Sequence, residues 1–246
     1  MIWKIISSTT RSRPVPDPAS DLMLAGAPVR VTRPARARRL RLAVDTARRE
    51  VRLTIPPRAS LKRAIAWARD HEDWVRRQLD AAPLAVRIAP GAVLPFEGRD
   101  VTICWDPAHA RTVKLDGDRL LLGGPIEGVE ARIVNWLKRR ALATLEAETQ
   151  ALARREGLTV SRVGIGDPRG RWGSCAANGV IRYSWRLIMA PVDVRAATVA
   201  HEVAHRVHMD HSPAFHARHA QMLGRDPAPA RAWLRANGTR LHAVGR

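Results

Sequence analysis

The stretch His201-Glu202-Val203-Ala204-His205-Arg206-Val207-His208-Met209-Asp210-His211 decides how the rest of the chain is read. Residues four apart share a face of an α-helix, so His201 and His205 can aim two imidazoles at one ion. Glu202 stands beside that ion without ligating it, where its carboxylate can accept a proton from a water at the metal. This is the chemical content of H-E-x-x-H: two ligands and a general base on one turn of helix. His211 follows six residues after His205, enough for the chain to leave the helix, turn and return a third imidazole. Three protein ligands with one position left for solvent describe a catalytic zinc site rather than a closed structural one.

The neighbouring residues favour a helix anchored in a core. Val199, Val203 and Val207 repeat every fourth residue and form an apolar stripe from which the histidines are offset. Asp193, after Pro191, is the expected N-cap. A solvated, His-rich helix surface is the alternative, because His208, His216 and His219 lie nearby. His208 would be crowded into the same turn as His205 and is expected behind the ligands or at the surface. Asp210 is expected to accept the N–H of a ligand ring. Ser212-Pro213 opens the next helix, Ser as its cap and Pro at its first position, and places His216 and His219 on it, where either could face the site although surface positions are expected.

The chain has 246 residues, 46% of them hydrophobic, which supports a sizeable core in one or two domains. No apolar run reaches the roughly 18 residues of a membrane-spanning helix. Met1 to Ile6 is too short an apolar stretch for a secretory signal and leads into a Ser/Thr/Arg/Pro-rich segment, Ser7 to Ser20, expected to be disordered. Two cysteines, Cys104 and Cys175, form no disulfide framework, and a reducing cytoplasm is the simplest location. The net charge of +19 invites contact with nucleotides or nucleic acid. Four of the 42 basic residues are lysine (Lys4, Lys62, Lys114, Lys138) and the rest arginine, with a local run at Arg30, Arg33, Arg36, Arg38, Arg39 and Arg41. A GC-rich genome would produce the same Arg excess, and no nucleic-acid recognition motif accompanies the charge.

Patterning divides the chain into a disordered leader at 1–29, a β-rich region with one helix at 30–125, and a domain carrying the histidines at 126–246. Leu40, Leu42 and Val44, then Val51, Leu53 and Ile55, alternate with polar residues around a turn at Asp45 to Glu50. Ser60 caps a helix running to about Ala81. Short strands follow between Ala92 and Leu122, and Gly123-Gly124-Pro125 reads as a hinge. A long helix runs from about Val129 to Glu156, stopped by Gly157. Thr159 to Ile165 is extended, Gly166 to Gly173 is a basic turn, and Val180 to Ile188 is a strand with Ile181, Tyr183, Trp185 and Leu187 alternating. The fold class is therefore α+β: helices packed on a small antiparallel sheet, with an edge strand beside the open side of the metal. No internal repeat is visible.

Arg171-Trp172-Gly173-Ser174-Cys175, Trp185-Arg186-Leu187-Ile188, Ala190-Pro191, His201-Glu202-Val203-Ala204-His205, His211-Ser212 and Phe215 come in this order at close spacing. Together they resemble the YgjP-like metallopeptidase family, a bacterial zincin group similar to SprT-type zinc proteases. The resemblance spans about residues 30 to 240 and is dense between Arg169 and Phe215. It implies a zincin core with His201, His205 and His211 as zinc ligands and Glu202 as catalytic base, and it places Trp172 to Cys175 close to the cleft. The chain departs at His216, where the family tends to carry Trp, and His208 stands where metzincins have Gly.

Arg169 and Arg171 could clamp an anionic or carboxylate group there, or brace the loop through its carbonyls. With them, Trp172 and Cys175 are candidate substrate-binding residues; Cys175 is expected to be a packing cysteine rather than a nucleophile, a fourth metal ligand being the lesser alternative. The leading expectation is a zinc-dependent peptidase acting on a peptide or protein. A zinc-dependent nucleoside-triphosphate hydrolase, a DNA-associated SprT-like protease and a metal-stabilised binding module are the alternatives.

Overall fold

A computed structural model describes residues 22–45, 48–81 and 86–245, and the chain divides into two units between Ala82 and Pro83. Ser7 to Ser20 lies outside the described residues. The rest of the expected leader is not all irregular: β1 (Met23–Leu24) and the start of β2 (Ala27–Thr32) fall within it. With β3 (Arg41–Asp45) and β4 (Glu50–Thr54) they form a sheet of order β1-β2-β4-β3. Both hairpins are antiparallel, and β2 and β4 run parallel with Val29 opposite Val51 and Val31 opposite Leu53. The two-residue alternation buries Val29, Val51 and Leu53 in one cluster with Ala64, Ala68, Val75 and Leu79.

Those last four residues belong to two helices, α1 (Leu61–Arg69) and α2 (Glu72–Asp80), where the sequence reads as one. Ser60 caps α1 as expected, its Oγ accepting from the Arg63 N–H at 3.4 Å. The break comes from His71. Its Nδ1 lies 2.8 Å from the Trp67 carbonyl, the acceptor that a continuing helix would reserve for the backbone of residue 71. The His71 N–H turns instead to Ala68 O at 3.1 Å, one residue short of the α-helical partner.

The second unit begins with the same topology. β5 (Val93–Phe96), β6 (Arg99–Trp105), β7 (Lys114–Asp116) and β8 (Arg119–Leu122) pair in the order β5-β6-β8-β7, with β6 parallel to β8. The first hairpin of each sheet turns on two residues of positive φ, Ala25-Gly26 and Glu97-Gly98, the condition for a type I′ turn. A four-strand motif thus occurs twice, although the sequence shows no repeat: pairing order is preserved while side chains are not.

This second sheet is not a separate region ending at a hinge. Leu94, Phe96, Val101, Ile103, Leu120 and Leu122 share one core with Ile133 and Leu137 of α3 (Val129–Arg155). Gly123-Gly124 is held rigidly, the Gly123 N–H donating to Ala110 O at 2.7 Å and the Trp105 indole to Gly124 O at 2.9 Å. The unit boundary therefore falls at Ala82/Pro83 instead of residue 125.

After α3, β9 (Arg162–Gly166), β10 (Gly173–Cys175) and β11 (Val180–Ser184) form a sheet of order β10-β11-β9. It is mixed rather than antiparallel: β10 and β11 are a hairpin, and β11 lies parallel to β9. The strand expected to reach Ile188 stops at Ser184, whose Oγ accepts from the Arg186 N–H at 3.4 Å and starts a buried 3-10 turn over Trp185–Met189. Arg186 is only 2% exposed. Its guanidinium grips Asp167 at 2.7 Å and the Leu241 and Val244 carbonyls at 2.7 and 2.9 Å. The chain finishes with α4 (Val192–Ala204), α5 (Pro213–Leu223) and α6 (Ala228–Ala243). Among the described residues no helix is long and apolar enough to cross a membrane.

Candidate metal centre

The helix α4 carries His201 and Glu202 and ends at its second histidine. Pro191, not Asp193, is the N-cap; Asp193 lies in the first turn, where its charge suits the helix dipole. His205 is the C-cap with right-handed helical φ and ψ, so its ring keeps the face it shares with His201. Because the helix stops there, Val207 leaves the apolar stripe and is 43% exposed, while Val199 and Val203 are buried.

The following loop returns His211. Its Nε2 stands 3.2 Å from His201 Nε2, and ligand atoms of His201, His205 and His211 all lie within 4.8 Å of one another. Zn–N bonds of about 2.0–2.1 Å in a tetrahedron place ligand nitrogens about 3.3 Å apart, so this cluster fits such an ion. The second ring nitrogen of His205 is committed: Nδ1 lies 2.9 Å from the His208 carbonyl, an acceptor that leaves Nε2 with its lone pair free. His208 thus acts through its backbone. Asp210 does not take a ring N–H; its Oδ1 accepts from the Ser212 backbone at 3.2 Å and shapes the turn into α5. Ser212 caps α5 with its Oγ accepting from Phe215 N at 3.3 Å, as expected from Ser-Pro.

Two residues of α5 complete the setting. Phe215 is fully buried and stacks on His205 at 4.4 Å between ring centroids, with His201 and His211 each at 4.9 Å. It forms an apolar floor that limits the rotamers of all three imidazoles. His219, expected at the surface, is 2% exposed; its Nε2 lies 3.0 Å from Ala197 O and its ring 5.2 Å from His201. Its burial was legible: Phe215, His219 and Met222 fall at i, i+4 and i+7 on the buried face of α5. His216 is exposed, as expected.

Glu202 is 4% exposed and lies against the edge strand β10. A Cβ on Gly173 would overlap Glu202 Oε1, so the carboxylate occupies space that only glycine leaves open. In the chain without a cation, burial pushes the Glu202 carboxyl up to about 8, with Arg171 pulling it partly back. Burial likewise pushes His201 down to about 3, assisted by His219, His205 and His211. Burial also lowers His205, against the His208 carbonyl, and lowers His219. His201 and His205 are therefore neutral at neutral pH, the form that ligates metal.

A cavity of about 220 Å³ adjoins His201 and Glu202 and is lined by Arg171, Trp172 and Gly173 on one side. Trp172 is set by stacking on His242, 5.1 Å away, and by Gly238, where a Cβ would come 2.9 Å from its ring. Arg169 is exposed and lies outside this lining. Cys175 is half-buried, its Sγ 3.6 Å from Ala176 O, and burial raises its thiol against the opposing Arg206. It belongs to no metal cluster among the described residues.

Three imidazoles with a buried carboxylate alongside form a donor set of the metallopeptidase class. The sequence profile of the YgjP-like family's metallopeptidase domain matches residues 38–237, and the chain belongs to that family. No curated protein and no solved structure matches the chain.

Proposed function

We propose that this protein is a zinc-dependent peptidase in which His201, His205 and His211 hold the metal and Glu202 is the general base. The observation carrying this reading is the Glu202 carboxylate, buried against Gly173 beside a cluster of three imidazoles. Zinc in such a set supplies Lewis-acid polarisation of a carbonyl and a water of pKa near about 7. Glu202 takes the proton released as water attacks the scissile carbonyl and passes it to the departing amine. β10, paired on one edge only, offers backbone groups to an extended peptide, which would add to the sheet as a strand. Arg171 and Trp172 immediately precede that strand and border the cavity at its start.

Protein purified without added metal should contain close to one equivalent of zinc by elemental analysis and should cleave casein-like substrates. Glu202→Gln should keep the metal and lose turnover. Hydrolysis of nucleoside triphosphates with no peptide cleavage would overturn the reading in favour of a phosphohydrolase, and full activity of the Glu202→Gln variant would remove this carboxylate from the mechanism.

A further inference from the structure

The cavity beside Glu202 has two chemically distinct ends. Away from His201 and Glu202 its walls are mostly apolar: Trp172, Ala197, Pro227, Ala230 and Leu234. Thr198 Oγ1 donates to Val194 O at 3.2 Å and His219 Nε2 bonds Ala197 O at 3.0 Å, so each has one polar atom committed to the backbone of α4. Arg171 and Arg231 also line it, and both residues are exposed, which puts them at the mouth. Neither guanidinium has a hydrogen-bond or ion-pair partner among the described residues. By contrast the buried Arg186 and Arg195 are fully engaged with carboxylates and carbonyls. An apolar hollow with two guanidiniums at its rim, neither in an ion pair among the described residues, suits an apolar group that carries an anion such as a carboxylate at its base.

We propose that this cavity receives the C-terminal residue of a peptide, with an apolar side chain filling the hollow and the free α-carboxylate held by Arg171 and Arg231. The inference rests on the peptidase reading and names its substrate class. The reaction is plain hydrolysis: the C–N bond before the last residue breaks, water's oxygen joins the acyl carbon, and its proton goes to the released amine. The volume, about 220 Å³, accommodates a single side chain. It lies below the roughly 300 Å³ at which pockets begin to hold drug-sized ligands, and the nucleotide arm of the test decides between a side chain and a base.

The test uses the full chain in two arms. In the first, saturation-transfer NMR on metal-free protein compares N-acetyl-leucine, N-acetyl-leucinamide, N-acetylglutamate and uridine triphosphate. N-acetyl-leucine should bind about tenfold more tightly than the amide, the scale of one charge-assisted pair. Arg231→Ala should erase that preference and Arg231→Lys should retain part of it; Arg231 is exposed, and circular dichroism checks that each variant keeps the fold. Equal binding of acid and amide, binding of neither, or an Arg231-dependent preference for the nucleotide overturns the proposal. In the second arm, zinc-loaded protein should release leucine from N-acetyl-alanyl-leucine and leave the C-terminal amide intact. Equal cleavage of the two overturns the proposal; an intact binding preference with no cleavage of any peptide refutes the peptidase reading and leaves the pocket's selectivity standing.

Discussion

Glu202→Gln removes one buried ionisable group from the centre while keeping its shape, so it measures the electrostatics of the cluster. Without a cation, burial holds the Glu202 carboxyl at about 8 against an ordinary 4.5. A folded-state pKa above the unfolded one means that the folded chain keeps a proton the unfolded chain has lost. That contribution to stability is complete below pH 4.5 and disappears as pH rises through about 8. At 1.36 kcal/mol per pH unit the whole loss is on the order of 5 kcal/mol. His201 has the opposite sign: held down at about 3, it contributes fully above pH 6.5 and loses that contribution as pH falls. His205 and His219 act in the same direction as His201. The opposing effects overlap between pH 4.5 and 6.5, so Glu202 is read cleanly between 6.5 and 8. Over that window the wild type should lose on the order of 2 kcal/mol more than the Gln variant. Urea unfolding in chelator, followed by fluorescence of the buried Trp136 and Trp185, supplies the two curves. Parallel curves would refute the burial argument for this carboxylate.

His205→Ala should bring the metal content of purified protein close to zero by elemental analysis, while circular dichroism shows the helices retained, since the ring is not needed to end α4. Gly173→Ala places a methyl group where Glu202 Oε1 sits and should cut peptide turnover at least about tenfold with metal content unchanged, the signature of a displaced base; unchanged kcat would mean that the carboxylate has room to move. Arg195→Ala strands Glu148, which now accepts at 2.8 and 3.0 Å, and should cost about 2–3 kcal/mol in urea unfolding. That figure is below the range for fully buried pairs because Glu148 keeps part of its surface in water.

The convergence of the three histidines was legible because it depends on local geometry. Four-residue spacing puts His201 and His205 on one face whatever surrounds them, and Ser212-Pro213 fixes where α5 begins. The α+β class and the long helix α3 with its Gly157 stop follow from periodicity in the same way. What the sequence concealed is everything set by contacts between distant residues. His71 breaks a helix through one ring-to-carbonyl bond that no periodicity signals. Trp185 and Leu187 keep an alternating pattern, yet the backbone leaves the strand because every residue of Trp185–Met189 is buried, on both faces of the pattern. Gly123-Gly124-Pro125 has the composition of a hinge but is pinned by Ala110 and Trp105. Arg231 is separated from the motif by the whole of α5 and enters the site only because α6 packs beside α4.

The chain's surplus of arginine, ambiguous as composition, separates into two groups once partners are known. Arg195, 3% exposed, ties α4 to Glu148 of α3 and to Glu97 in the β5–β6 turn. Arg186, equally buried, ties the loop at Asp167 to the carbonyls that end α6. Each binds together elements that carry the site: α4 supplies His201 and Glu202, the loop after Asp167 supplies Arg171 and Trp172, and α6 supplies Arg231 and Leu234. Buried charges require such partners, and removing one leaves the other uncompensated. Among the described residues the guanidiniums of Arg171 and Arg231 make no hydrogen bond or ion pair, Arg171 acting on Glu202 only through its charge, and they stand at the mouth of the one apolar cavity that touches Glu202 among those described. A guanidinium left without an internal partner beside a desolvated hollow attracts an external anion at little reorganisation cost. The excess positive charge therefore has a local meaning at this cleft, independent of any reading of the net charge as affinity for nucleic acid.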